Sequence, residues 1–374
     1  MLSLPKHIEA LCQKLEEKGF AAYAVGGCVR DLLCGKTPGD YDVTSSALPA
    51  DVKGIFPHTA DTGIAHGTVT VVLPEGNVEV TTFRKDGDYK DSRHPDGVTF
   101  VSHIEADLAR RDFTVNAMAY SPLRGFVDPF GGKADLQHKI LRTVGDPEVR
   151  FSEDALRILR LYRFSAQLAF EIEEKTEMMA RKLSGTLCHV SRERIFAELS
   201  KLLHFASASD LERAEVIFRA VMPEVSFSAD DFEKAASCTA MAGKWAHLCG
   251  RAAADILRHL RAPRKLIRSA EELATYRKGK HIVADVSALS YTTPHDFFAF
   301  LQDAAAENEW LSAKKKGFPM HVGELAVCGA DMKALGFSGK EIGEALERLF
   351  MYVIENPANN KKDILMEVAT WIYK

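Results

Sequence analysis

Apolar residues recur at two different periods along this chain. In the first third they alternate with Thr and other polar residues. The stretches AAYAVGG (21–27), GTVTVVL (67–73), NVEVTTFR (77–84) and VTFV (98–101) are rich in Val and Thr and bounded by Gly, Pro and Asp, which predicts strands. Ahead of them Leu4, Ile8, Leu11 and Leu15 share one face of an amphipathic helix that Gly19 stops. Beyond about residue 135 the spacing lengthens to three and four, in SEDALRILRLYRFSAQLAF, SRERIFAELSKLL and KEIGEALERLFMYVI, and predicts long helices. The expected fold class is α+β: a mixed β-sheet with helices in the N-terminal part, followed by an all-α region. Punctuation falls at 143–152, around 205–210, at 262–264 and at 317–323, and 374 residues suffice for two or three cores. The first helix lacks the pattern of a signal peptide, and no apolar run reaches the roughly 18 residues of a membrane-spanning helix.

Charge and cysteine usage narrow the function classes. With 48 Lys+Arg against 52 Asp+Glu, a formal charge of -4, no global positive field collects nucleic acid, so any phosphate-binding surface must be local. At 46% hydrophobic and 27% charged, the composition excludes disordered, collagen-like and disulfide-scaffold classes. The cysteines at 12, 28, 34, 188, 238, 249 and 328 form no CxxC pair, which predicts reduced thiols and a cytoplasmic location rather than zinc ribbons or disulfides.

The segment AVGGCVRDLLCGKTPGDYDVTSS (24–46) reads as strand, Gly-Gly turn, short helix and second extended run. Residues two apart in a strand share a face, so Asp40 and Asp42 are expected side by side. Two hard carboxylates suit Mg²⁺, which completes its shell with water and substrate phosphates. Gly26 and Gly27 ahead of the helix would let backbone N–H groups approach those phosphates. Either feature alone also fits solvated charge or a plain turn, but nothing structural needs two carboxylates that repel each other without a cation. Glu79, between Val78 and Val80, is a candidate third carboxylate or an acid on the solvent face of an edge strand.

Two further segments carry polar groups at telling positions. RRDFTVNAMAY (110–120) sets Arg110, Arg111, Asp112 and Asn116 among apolar residues, a grouping that can grip a ribose and a phosphate or simply cap a helix. SEDALRILRLYRF (152–164) is expected as one helix capped by Ser152, with Asp154 and Arg157 three apart on one face. That pair is a surface ion pair or a base reader. A carboxylate accepts from the exocyclic amine of C or A and a guanidinium donates to ring acceptors, whereas G and U present a carbonyl there and mismatch.

With these motifs in hand, the chain resembles the bacterial-type (class II) tRNA nucleotidyltransferases, the CCA-adding enzymes, which are similar to bacterial poly(A) polymerases. The resemblance runs through GGCVRD, GDYDVTSSALP, HGTVTVV, EVTTFR, RRDFTVNAMA, DPFGG, EDALRILR and SRERIFAEL, over about residues 20–205, and thins beyond, although 323–349 looks like the family's C-terminal segment. It implies a polymerase-β-like nucleotidyltransferase head (1–145), a nucleotide-recognition neck (146–205), a helical body (206–320) and a tRNA-binding tail (321–374). It implies template-independent addition of the 3′-terminal CCA to tRNA from CTP and ATP, releasing pyrophosphate. Asp40 and Asp42 would hold two Mg²⁺ ions; Gly26, Gly27 and Arg30 would cradle the triphosphate, and Arg111, Asp112 and Asn116 would face the ribose. Asp154 and Arg157 would read the base, Arg160 and Arg163 would reach the triphosphate, and Glu193, Arg194 and Glu198 behind a Ser191 cap would brace the pocket or form an ordinary charged helix surface.

Other features bear on the partner. FRKDGDYKDSRHPDG (83–97) looks like the movable loop of CCA- and A-adding enzymes, or is an exposed hairpin connection. RHLRAPRKLIR (258–268) offers Arg258, Arg261, Arg264, Lys265 and Arg268 to tRNA phosphates or to solvent. His295–Asp296 reads as a helix start, with no metal site. The expected partners are tRNA, CTP and ATP, with no membrane; homodimerisation is left open. The alternatives are an A-adding enzyme working beside a CC-adding one, a poly(A) polymerase, a catalytically silent RNA-binding protein, and a small-molecule nucleotidyltransferase. The long helical half disfavours the last, because a small acceptor needs no extended surface.

Overall fold

The structure, a computed structural model, describes residues 2–86 and 98–373. The chain divides into two compact units, Met1–Glu224 and Val225–Lys374. The first unit opens with α1 (Lys6–Glu16), which starts behind Pro5 and buries Ile8, Leu11, Cys12 and Leu15; the chain leaves it through Gly19 at φ +86°. The elements that follow are β1 (Ala22–Val25), α2 (Gly27–Leu33), β2 (Asp42–Ser45), α3 (Pro49–Ile55), β3 (Thr59–Gly63), β4 (Thr68–Leu73) and β5 (Gly76–Thr82). A small β6 (Arg84–Asp86)–β7 (Val98–Phe100) ladder, α4 (Ile104–Ala109), β8 (Ala119–Ser121), β9 (Gly125–Val127) and α5 (Gly132–His138) complete this part.

Among the described residues seven strands make one mixed sheet in the order β3-β4-β5-β2-β1-β8-β9, with β2 and β5 parallel and the other neighbours antiparallel. All four side chains of β1 are buried, as a central strand covered on both faces requires. Its register decides the chemistry. Val25 pairs with Asp42 on one side and with Ala119 on the other, so the Gly26–Gly27 turn, the Asp40–Asp42 approach and the 110–118 segment all leave the sheet at the same end. Beneath them Tyr23, Val25, Phe83, Ile104, Leu108, Ala117, Ala119 and Val144 form an apolar cluster that fixes that end.

Helices then take over, with one departure from the all-α expectation: β10 (Ile140–Leu141) pairs in parallel with β11 (Glu171–Ile172). Between and after them come α6 (Pro147–Glu153), α7 (Leu156–Leu168), α8 (Glu174–Leu183), α9 (Arg192–Phe205), α10 (Ala208–Arg213) and α11 (Glu215–Val221), with α7 packed along α9. The single helix expected over 152–164 is two. Ser152 lies inside α6, and Asp154 breaks the run in an extended conformation, φ -144° and ψ 104°, while its Oδ1 accepts from Leu156 N at 3.0 Å. A short carboxylate that bonds the backbone two residues on offers the chain an alternative to helix, which is why the break falls there.

The second unit is helical from end to end among its described residues: α12 (Ala229–Ser237), α13 (Met241–Cys249), α14 (Ala253–His259), α15 (Arg264–Thr275), α16 (Ile282–Ser287), α17 (Pro294–Leu301), α18 (Ala304–Lys315), α19 (Gly329–Ala334), α20 (Lys340–Glu355) and α21 (Lys362–Tyr373). α17 begins at Pro294 with Thr293 as its cap, so His295–Asp296 is the helix start expected. All seven cysteines are free thiols. No helix among the described residues is long and apolar enough to cross a membrane.

Candidate active site

The Gly-Gly turn is built around an arginine. Gly26 sits at φ +79°, a backbone conformation that favours glycine, and Nη1 of Arg111 lies 2.9 Å from where a Cβ would stand. Asp42 opens β2 opposite Glu79 on β5, with Val78 and Val80 buried on the other face. Asp40 lies two residues ahead of the strand, outside the ladder that the sequence placed it on. Desolvation pushes the Asp42 carboxyl above its ordinary pKa, the negative charges of Asp40 and Glu79 push it further, and Arg111 pulls it back. Negative charges gathered on Asp42 in this way offer hard oxygens suited to a divalent cation. Among the described residues no three or more His, Cys, Asp or Glu side chains are gathered to hold a metal ion, so Glu79 is a neighbour of the aspartate pair and not part of a ready cluster. The cation would need oxygens from water and substrate, as Mg²⁺ commonly does.

Behind the turn stands a network of buried charge. Asp112, 8% exposed, takes Phe113 N (2.8 Å) and Asn116 Nδ2 (3.1 Å) on Oδ1, and Nε and Nη2 of Arg160 (2.8 and 2.6 Å) on Oδ2. Burial alone would raise this carboxyl, but the charge and hydrogen bonds of Arg160 and the Asn116 amide hold it at about 2. Asn116 Oδ1 in turn accepts from Arg30 Nη1 at 2.7 Å, and Arg30 also binds Asp31. Arg163 pairs with Glu198 at 2.9 Å and donates to Gln167 at 2.8 Å, while Arg160 approaches the same glutamate at 3.7 Å. Arg111 donates to Asp107 at 3.4 Å, and among the described residues its buried Nε has no hydrogen-bond partner. An orphaned buried donor of this kind is ready for an acceptor brought by a ligand.

The surface ion pair that is one reading of Asp154 and Arg157 does not form among the described residues. Asp154, turned out by the break between α6 and α7, accepts from Arg194 Nη2 on α9 at 2.7 Å. Arg157 instead donates to Arg150 O (3.0 Å), Glu153 Oε2 (2.5 Å) and Arg110 O (2.9 Å), which leaves its other N–H groups uncommitted to these partners. Both residues nevertheless line one polar cavity of about 280 Å³ with Arg110, Arg111, Asp112, Leu156, Arg160 and Arg194. Arg111 lines this cavity, and its charge also acts on the Asp42 carboxyl, which links the pocket to the strand that Asp42 opens.

The remaining candidates fall as follows. Arg194 and Glu198 face the site from α9, Glu193 is exposed, and Ser191 occupies the N-cap position of α9 without a side-chain cap bond. Of the 83–97 stretch, residues 87–97 lie outside the described residues. In the second unit the basic run is partly neutralised: Arg258 pairs with Asp255 and Glu271, and Arg268 with Glu271, while Arg264 and Lys265 are exposed at the start of α15. Sequence reasoning missed Asp107, which anchors two of the site's arginines, and the Phe164 ring, which lies within about 6 Å of Arg30, Arg160 and Arg163. Asp107 is wholly buried and holds Arg110 at 2.9 Å and Arg111 at 3.4 Å; its spacing of three and four from them was the available signal. Phe164 carried no signal, because an apolar residue at helical spacing reads as core.

Comparison with known proteins extends the geometry. Residues 22–142 match the family model described as Poly A polymerase head domain, and residues 169–226 match Probable RNA and SrmB- binding site of polymerase A. The CCA-adding enzyme of Geobacillus stearothermophilus is 37% identical to this chain over 402 residues, covering 98% of this chain and 97% of that one. The CCA-adding enzyme of Geobacillus thermodenitrificans is 35% identical, covering 97% and 95%. Among solved structures, the Bacillus stearothermophilus CCA-adding enzyme in complex with CTP superposes with a TM-score of 0.83 at 32% identity, covering 99% of this chain and 98% of that one. The Thermotoga maritima CCA-adding enzyme complexed with tRNA shares the fold, with a TM-score of 0.74 at 23% identity, covering 99% and 97%.

Proposed function

The chain belongs to the CCA-adding enzyme family, and on that premise we propose that it adds the 3′-terminal CCA to tRNA, using CTP and ATP and releasing pyrophosphate. The observation that carries the reading is the position of Arg111, which lines the base-sized cavity and whose charge reaches the Asp42 carboxyl. Asp40 and Asp42 would hold Mg²⁺, which when bound lowers the pKa of the attacking 3′-hydroxyl and offsets charge on the α-phosphate. Everything else is positioning and electrostatics, as nucleotidyl transfer requires.

Gly27, Arg30, Arg160 and Arg163 would take the phosphates. Arg111, Asp112 and Asn116 would face the ribose. With its pKa held at about 2, Asp112 is ionised at neutral pH, and its accepted hydrogen bonds would hold Asn116 and Arg160 in place beside the sugar. Asp154 and Arg157 would read the base in place of a template strand, held by Arg194 and by Glu153 with the Arg110 and Arg150 carbonyls. This assignment makes residues 1–145 the head, 146–205 the neck, and 206–320 and 321–374 the body and tail that meet the tRNA, in a cytoplasm that keeps the thiols reduced.

The test is to give the purified protein a tRNA lacking CCA, and separately one ending in CC, with Mg²⁺ and CTP, ATP or both, and to size products to one nucleotide. Three additions to the first substrate followed by arrest are expected. Extension only of the CC-ended tRNA by a single A would make it an A-adding enzyme instead. Asp40→Ala or Asp42→Ala should abolish all incorporation with tRNA binding retained; turnover in either variant overturns the metal assignment.

A further inference from the structure

Three guanidinium groups crowd one benzene ring in the site. Arg163 stands over the Phe164 ring with its guanidinium carbon 3.5 Å from the centroid, and Arg160 and Arg30 lie at 5.1 and 5.4 Å. The ring is 6% exposed and is held edge-on by Phe113, centroids 5.8 Å apart at 80°. Arg160 and Arg163 come from the same helix as Phe164, whereas Arg30 comes from α2. Like charges so close repel, and the acids that answer them stand at the margin: Asp31 for Arg30, Asp112 for Arg160 and Glu198 for Arg163. The shared centre is the electron-rich face of the ring, which attracts cations within about 6 Å.

We propose that Phe164 is a positioning residue for triphosphate binding, its ring holding Arg30, Arg160 and Arg163 as a pre-assembled cationic grip. The proposal rests on the reading that these arginines take the phosphates. Preorganisation is the physical gain, because long arginine side chains otherwise lose rotamer freedom when they close on the ligand. A benzene ring serves better here than an aliphatic side chain of similar size, since only the aromatic face carries the quadrupole.

The experiment uses the full-length enzyme and two probes, inorganic tripolyphosphate as an inhibitor and the nucleotides themselves. In Phe164→Leu the KM for both CTP and ATP should rise about tenfold, and tripolyphosphate inhibition should weaken to match. The kcat and the preference for C and A over U and G should stay within about twofold. Phe164→Tyr, which keeps the ring, should restore the wild-type values. Pentafluorophenylalanine at position 164 keeps the shape but reverses the quadrupole, and should weaken tripolyphosphate as Phe164→Leu does, which guards against a leucine variant that fails to fold. Unchanged tripolyphosphate inhibition in the pentafluoro enzyme, or a tyrosine variant as defective as the leucine one, overturns the proposal. Arg160→Ala and Arg163→Ala separate the two levels. If they weaken tripolyphosphate and the pentafluoro enzyme does not, only the ring's role falls; if they do not, the phosphate assignment falls with it.

Discussion

At Asp112 a buried carboxylate accepts four hydrogen bonds, two of them from one guanidinium. Its folded pKa of about 2 lies below the ordinary value of 3.8, so it contributes stability that is fully present above about pH 4 and is lost as pH falls through 2. At about 1.4 kcal/mol per pKa unit the contribution is of order 2 kcal/mol. Urea unfolding of the wild type and of Asp112→Asn should therefore differ most at neutral pH and converge as pH drops from 4 toward 2; a constant difference would show that the carboxylate is not the group responsible. Arg157 makes a second residue-scale prediction. If this guanidinium, anchored by Glu153 and two carbonyls, reads the base as proposed, Arg157→Ala should blur C and A against U and G while tRNA affinity changes little. Misincorporation ratios under single-turnover conditions measure this, and preserved selectivity would move the template elsewhere.

At the scale of elements, α5 packs against the turn that carries Asn116, the residue proposed to face the ribose. Gly132, the first residue of α5, has no room for a methyl group: a Cβ there would run into the Thr114 carbonyl oxygen, and Met118 Cγ would be only 2.9 Å away. The Thr114 carbonyl is two residues from Asn116, so relief of the clash by backbone movement would displace the amide that bridges Arg30 and Asp112. Gly132→Ala should cost about 3 kcal/mol in urea unfolding and also raise nucleotide KM. Full stability in this variant would mean that the two segments can slide apart. Much of this scale was legible in the residues, because β4, β5, α1, α9 and α20 follow their apolar periods closely. The 152–164 stretch was not: its helical period continues through Asp154, whose side chain bonds Leu156 N where the helix breaks.

For the whole molecule, a net charge of -4 makes tRNA binding depend on local cations rather than on a global field. In the second unit Arg264 and Lys265 are exposed at the head of α15, whereas Arg258 and Arg268 are drawn toward Glu271. If the exposed pair meets phosphates, Arg264→Ala with Lys265→Ala should flatten the slope of log affinity against log salt by about 1 to 2 and weaken all tRNAs alike. Filter binding over a salt series gives that slope, and an unchanged slope would assign the run to solvent.

What the chain's order of residues determined by itself is the list of candidate site residues and the local elements that carry them. The spacing of Asp40 and Asp42, the glycines before a short helix and the α+β pattern need only near neighbours to be read, because strand and helix periods act over a few residues. Which of those residues meet was decided by the tertiary structure. The parallel β2–β5 ladder set Glu79 beside Asp42, the β1 register brought three separate segments to one sheet end, and α9 supplied Arg194 to Asp154 in place of Arg157. Ion pairs and ring contacts in this site join residues up to 134 positions apart, as between Arg30 and Phe164, and such pairings answer to packing and desolvation, which no local pattern encodes.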